Sequence, residues 1–283
     1  MLRILILLTF VVLIVSCVPI SSTELPTLDG APPDQSVTPT PPALHGELTI
    51  LMTGSLADAM QDLKTSFQQE NPAVSFVFDV SNPQRLDQLL AQEFQADLLI
   101  SNDLSQLETA ISSGKIEEKD VTAMAGNQLV IITPVQNPGK VTGTNDLTRP
   151  GLKVILADPE TLEGAYTLAF LEKASSQPDV RADFKEKVIE NVISYEENLD
   201  MVMKKVIQGE AEAGIVYLSD ALKAGPTQLF LVQIPINMNI PITYYMVKIK
   251  GSAEGELAHR FQEFVLSERG QTILSQRGFI PVQ

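Results

Sequence analysis

The amino-acid sequence predicts an α/β protein built on mostly parallel sheets flanked by helices. Three observations carry this reading: short apolar strands alternate with segments of helical periodicity, tight turns join strand to helix, and no repeat of solenoid length is present. The segment with this pattern runs from about residue 47 to residue 283, or about 237 of the 283 residues (283 − 46). That length suits two modest lobes or one large domain.

The elements can be justified in chain order. Leu48 to Met52 is an apolar strand ending in Thr53-Gly54-Ser55, after which Leu56, Met60, Leu63 and Phe67 recur at helical spacing. Val74, Phe76, Phe78 and Val80 alternate with their neighbours as a strand does. Ser81-Asn82-Pro83 ends it, with Asn82 a natural N-cap and Pro83 a natural first helical residue before Leu86, Leu89 and Leu90. Asp97 to Ser101 is a third strand, followed by a helix marked by Leu104, Leu107 and Ile111 and closed by Gly114. Further strands are expected at Leu129–Thr133, Leu152–Ala157 and Gly214–Tyr217. Helices are expected over Leu168, Phe170 and Leu171, and from Asn198 through Leu199, Val202, Met203 and Val206. A strand at Tyr244–Lys248, an amphipathic helix carrying Leu257, Phe261, Phe264 and Val265, and a final helical turn before Arg277-Gly278-Phe279 complete the chain.

The N-terminal region has a different character. Arg3, an apolar run from Ile4 to Ile14 broken only by Thr9, and then Val15-Ser16-Cys17 make the pattern of a secretory signal peptide over 1–16. The run falls short of the roughly 20 apolar residues of a spanning helix, and a simple anchor helix is the alternative. Cys17 is the only cysteine, so neither an intrachain disulfide nor a cysteine-rich metal site can form. Residues 17–46, rich in Pro, Ser and Thr, contain too little apolar surface to fold and read as a tether.

Composition excludes several functions. A net charge of −15 makes nucleic acid a poor partner, since phosphate neutralisation requires clustered Lys and Arg. Only His45 and His259 are present, so neither a catalytic triad nor a histidine metal site is expected. Asp158 and Glu160 read as a solvated acidic loop rather than a hydrolase pair, and the chain is not expected to be an enzyme.

Four strand-to-helix junctions stand out: Gly54-Ser55, Ser81-Asn82, Glu163-Gly164 and Asn198-Leu199. Each presents first-turn N–H groups, where an anion is favoured by unsatisfied donors and by the helix dipole. In open α/β sheets such junctions converge outside the carboxyl ends of the strands. Ordinary helix capping is the alternative at each one.

The chain resembles the periplasmic molybdate-binding proteins of ABC transporters, which are type II solute-binding proteins. The resemblance covers Glu47 to Gln283. It rests on Thr53-Gly54-Ser55-Leu56 with Ala59-Met60-Gln61-Asp62, Ala96 to Ser101, Gly126 to Val130, Asp158-Pro159-Glu160, Gly214 to Tyr217 with Ser219-Asp220-Ala221, and Arg277-Gly278-Phe279. It implies two lobes with the ligand cleft between them, lobe I formed by residues 47–126 and 236–283 and lobe II by 127–235. It also implies that molybdate or tungstate is held by uncharged donors alone, with no cofactor and no directly coordinated metal. Carried over by position, Ser55 supplies a hydroxyl and its own N–H, Tyr217 a phenol, and Gly164 and Leu199 main-chain N–H groups. Ser81 or Asn82 supplies the second hydroxyl-type donor.

Two positions depart from the family pattern: Pro83 stands where the family has a serine, with Arg85 nearby, and Glu163 replaces a usual proline beside the anion. The segment Ile14-Val15-Ser16-Cys17 resembles a lipobox, which implies acylation of Cys17 and a lipid-anchored, exported monomer that serves ABC permease subunits. Alternatives are a different oxyanion or a small organic solute in the same fold, or a sensor or adhesin without a transporter.

Overall fold

The computed structural model describes residues 44–80 and 96–282. β1 (His45–Met52) passes through a 3₁₀ turn at Gly54–Leu56 into α1 (Ala57–Glu70), then β2 (Ala73–Val80), β3 (Leu98–Ser101), α2 (Leu104–Ser112) and β4 (Thr122–Asn127). Next come β5 (Leu129–Pro134), β6 (Val154–Ala157), α3 (Leu162–Ser175), α4 (Phe184–Glu190), β7 (Val192–Glu196), α5 (Leu199–Ile207), β8 (Ala213–Tyr217), α6 (Leu218–Ala224) and β9 (Leu229–Gln233). The chain closes with β10 (Ile242–Lys248), α7 (Gly255–Leu266), α8 (Glu268–Gln276) and β11 (Ile280–Pro281).

Two sheets result, in the orders β11-β4-β10-β3-β1-β2 and β7-β6-β8-β5-β9, and each is the centre of one lobe. The α/β, two-lobed architecture is as expected, but the sheets are mixed rather than mostly parallel. β1 pairs in parallel with β2 and β3, and β6 with β7 and β8. β4, β5, β9 and β10, the strands on either side of the two crossings between sheets, pair antiparallel with their neighbours, except that the crossings separate β4 from β5 and β9 from β10. Parallel neighbours need a crossover such as a helix to return the chain, as α1 does between β1 and β2. The strands that change sheet have no such helix.

The core follows the alternation of the strands. On β1, Leu48, Ile50 and Met52 face one side of the sheet, where Met60, Leu63 and Phe67 of α1 cover them. Leu51 faces the other side with Leu99 and Val247, under Leu107 and Ala110 of α2. Phe67 meets Phe76, Phe261 and Phe264 edge-on at centroid distances of 5.9, 5.3 and 5.4 Å, which ties α1, β2 and α7 together. Loss of a ring so placed costs about 3–5 kcal/mol. In the second sheet β5, β6 and β8 are buried throughout, and α5 packs directly on the sheet. A Cβ on Gly214 would lie 2.9 Å from Val202 Cγ1, so glycine permits that close approach.

Two expectations change in detail. Leu104, read as part of an inward face, is 59% exposed; Gln106 turns inward instead, accepting a bond from Ser101 Oγ at 2.8 Å. The expected final helical turn is a nine-residue helix, α8, capped by Ser267 Oγ accepting from Gly270 N at 3.2 Å.

The two crossings lie side by side. Asn239, buried in the second, accepts from Leu129 N at 3.0 Å and donates to Leu129 O at 2.8 Å, which fixes it to the first. Its Oδ1 also accepts from Ile240 N, and its main-chain oxygen accepts from Lys173 Nζ at 2.6 Å. Asn127 donates to Ser219 Oγ at 2.9 Å and accepts from Gln128 N, tying α6 to the same region. No helix among the described residues is long and apolar enough to cross a membrane.

Candidate functional site

β1 delivers Thr53-Gly54-Ser55 to the rim of the first sheet. The Ser55 hydroxyl lies 2.8 Å from the Tyr244 hydroxyl, either atom able to donate. Tyr244 is fully buried on β10, its ring 5.5 Å from that of Phe279. Burial pushes its phenol well up, and hydrogen bonds from Ser55 and Asn127 offset this only in part. Thr53 Oγ1, two residues before Ser55, is buried with no hydrogen-bond partner among the described residues.

From the second sheet, Tyr217 closes β8. It is 0% exposed, and its hydroxyl likewise has no partner among the described residues. Burial raises its phenol well above the ordinary value, and the neighbouring Tyr244, Glu163, Tyr166 and Asp220 push the same way. The group is therefore a neutral O–H donor at any ordinary pH, suited to an anion and unable to repel one. Tyr166 packs edge-on against it at 6.4 Å and donates to Asn102 O at 3.2 Å, bridging the lobes.

At the start of α3, Thr161 is the N-cap. Its hydroxyl accepts from Gly164 N at 3.1 Å and donates to Asp158 O at 2.7 Å. The N–H expected to meet an anion is thus held by a neighbouring side chain in this structure. The glycine itself is required, because a Cβ there would sit 1.9 Å from Asp158 O. Glu163, partly exposed, is pushed up chiefly by burial; its own main-chain N–H lowers it, and Asp103 across the cleft raises it further. At the start of α5, Asn198 Oδ1 caps Met201 N at 3.0 Å, and the following Leu199 is buried.

Ser55 is thus bonded to Tyr244, and Tyr217 and Glu163 are near enough for their side chains to bear on the Tyr244 phenol or be affected by it, while Asp200 at the start of α5 bears on Asp220. Ser81, Asn82, Pro83, Arg85 and Cys17 lie outside the described residues. Sequence reasoning did not single out Tyr244, Tyr166 or Asp220 as site residues. Tyr244 had a weak signal, since it begins an expected strand and alternation can place it inward. Asp220 lies in the quoted Ser219-Asp220-Ala221 motif, which carried the resemblance without assigning it a role.

Asp220 lines a cavity of about 60 Å³ with Gly54, Ser55, Asp58, Ser219 and Lys223, so both lobes contribute walls. This exceeds the roughly 10–15 Å³ that one water requires. The Asp220 carboxyl is pushed up to about 7, first by burial and then by Asp200, with Lys223 opposing and Glu163 and Asp58 adding to the rise. Its Oδ2 is buried and has no partner among the described residues. Lys223 and Asp58 pair across the lobes at 3.6 Å. Among the described residues no group of three or more His, Cys, Asp or Glu side chains is placed to hold a metal ion.

Comparison with known proteins fits this arrangement. The family model for bacterial extracellular solute-binding proteins matches residues 48–280. The molybdate-binding protein ModA of Mycobacterium tuberculosis is 30% identical over 232 residues, 82% of this chain and 84% of that protein. A putative ABC transporter substrate-binding lipoprotein of Bacillus subtilis, YvgL, is 25% identical over 82% of this chain and 85% of its own. Among solved structures, the substrate-binding domain of a putative molybdenum ABC transporter from Clostridium difficile superposes with a TM-score of 0.71 at 25% identity, covering 84% of this chain and 99% of that one. This chain therefore belongs to the bacterial extracellular solute-binding protein family, a family of binding proteins rather than enzymes, and is related to its molybdate-binding members.

Proposed function

We propose that this protein captures molybdate or tungstate between its lobes and delivers it to the permease subunits of an ABC transporter. The observation that carries this reading is the Tyr217 hydroxyl, fully buried and without a partner among the described residues, beside the Ser55–Tyr244 pair. Buried hydroxyls are nearly always hydrogen-bonded, so an orphan at an interlobe cleft is the group a ligand would complete. The molybdate-binding name of the 30% identical relative supplies the ligand class. Ser55, Ser81 or Asn82, Gly164, Leu199 and Tyr217 are the proposed donors, with Thr161 yielding the Gly164 N–H when the ligand arrives. Each charge-assisted bond would contribute about 1.5–3 kcal/mol, because a dianion in a dry cleft has no water to replace it.

Lobe I is proposed as residues 47–126 with 236–283 and lobe II as 127–235. A ligand touching both favours the closed arrangement, the form to be presented to the permease. A lipid on Cys17, followed by the 17–46 tether, would hold the monomer at the outer face of the membrane; the lipoprotein name of the Bacillus subtilis relative favours this anchor.

Thermal unfolding of the purified protein with molybdate, tungstate or sulfate tests the ligand. A hundredfold excess over Kd adds about 2.7 kcal/mol to stability. The expected result is a clear rise in Tm with molybdate or tungstate and little with sulfate; no rise with either metal oxyanion removes the proposal. Metabolic labelling with a radioactive fatty acid tests the anchor, with label expected on the native chain and lost in Cys17→Ser.

A further inference from the structure

Glu163 occupies an unexpected place for a carboxylate in an anion-binding cleft. It is the second residue of α3, and its carboxyl group lies against its own main-chain N–H, one of the donors that the helix start offers to a ligand. Thr161 Oγ1 already holds the next donor, Gly164 N. One first-turn N–H group is thus occupied by a protein oxygen and the one before it has a carboxylate beside it, while the buried Tyr217 hydroxyl close by has no partner among the described residues. Among the described residues, the groups that bear on Glu163 electrostatically are Asp103 from the start of α2, Asp220 on α6, and the phenols of Tyr166, Tyr217 and Tyr244. The phenols are neutral, and both charged groups are carboxyls.

We infer that Glu163 gates the anion site by its charge: ionised, its carboxylate competes with an incoming oxyanion dianion for the α3 donors and repels it, and neutral, it admits the dianion. The inference rests on the proposed oxyanion site. The sign follows from the geometry. Burial raises the Glu163 carboxyl, and a dianion beside it raises it further, so capture takes up a proton and affinity falls as pH rises through that raised value. Neutral Glu163 also becomes an O–H donor, joining the other neutral donors of the cleft.

Isothermal titration of the full chain with molybdate at pH 5.5, 7.0 and 8.5 tests this, using the native protein, Glu163→Gln and Asp220→Asn. Asp220 is included because its carboxyl, pushed up to about 7 by burial, is a second source of pH dependence beside Ser55. Glu163→Gln is expected to bind about tenfold or more tighter than the native protein at pH 8.5, with the gap narrowing as the pH falls, and to have a flatter pH profile. Asp220→Asn is expected to keep that difference between native and Gln forms when the two changes are combined. Native affinity in Glu163→Gln at every pH, or a pH profile removed by Asp220→Asn and retained by Glu163→Gln, overturns the inference while leaving the oxyanion site standing. Absence of molybdate binding in all forms, each still unfolding cooperatively, removes the oxyanion reading and this inference together.

Discussion

The hinge, formed by the paired crossings between the sheets, and the cleft both hold buried polar side chains, and they treat them differently. At the hinge, Asn239 closes both hydrogen bonds of Leu129, and Asn127 reaches Ser219 and Gln128 N. Around the Ser55–Tyr244 pair and the adjoining cleft, Thr53 Oγ1, Tyr217 Oη and Asp220 Oδ2 are buried without partners among the described residues. A buried polar group left unsatisfied costs about 1–3 kcal/mol, so the hinge is arranged for stability while the cleft carries a cost that a ligand can relieve. Changes at the hinge should therefore unfold the protein, and changes in the cleft should alter binding or pH response.

The largest expected effect is at Asp220. Its carboxyl, pushed up to about 7 in the folded protein, titrates near 3.8 when solvated. Its contribution is fully present below about pH 4 and is lost as pH rises to about 7, a difference on the order of 4 kcal/mol. Asp220→Asn should abolish that decline, so thermal melts from pH 5 to pH 8 should diverge, the variant being the more stable at pH 8. Parallel curves would mean that the carboxyl is solvated or paired.

Asn239→Ala follows. It strands the Leu129 N–H and carbonyl in a buried setting and should cost about 2–4 kcal/mol by urea unfolding. A loss under about 1 kcal/mol would mean that water replaces both bonds, and the contrast between hinge and cleft would fail. Ser55→Ala should be smaller still. It removes one neutral hydrogen bond to Tyr244, about 1 kcal/mol of stability, and weakens molybdate binding by more than that.

Most of the architecture was legible because burial imposes periodicity. Leu56, Met60, Leu63 and Phe67 identified α1, and the apolar runs at Leu129 and Gly214 identified the central strands of the second sheet. Ser55 stands out in the sequence at a strand-to-helix junction, and Tyr217 only through the resemblance to the molybdate-binding family. What escaped depends on strand order and on local competition. Tyr244 reaches Ser55 across 189 residues of sequence only because β10 inserts between β3 and β4. Thr161 holding the Gly164 N–H and Asn239 spanning the crossings are choices between equivalent hydrogen bonds, which composition does not encode. The antiparallel pairings were missed for a related reason, since a strand that changes lobe looks in sequence like any other.

The smallest expected change in stability is also the most informative. Tyr217→Phe removes a hydroxyl that has no partner among the described residues, so Tm should stay within about 2 °C of the native value. Molybdate affinity, measured by titration on the same samples, should fall about tenfold or more through loss of a bond to a charged ligand. Native affinity in Tyr217→Phe, or a drop in Tm as large as the loss in binding energy, would contradict the claim that this buried hydroxyl is held in place for an anion.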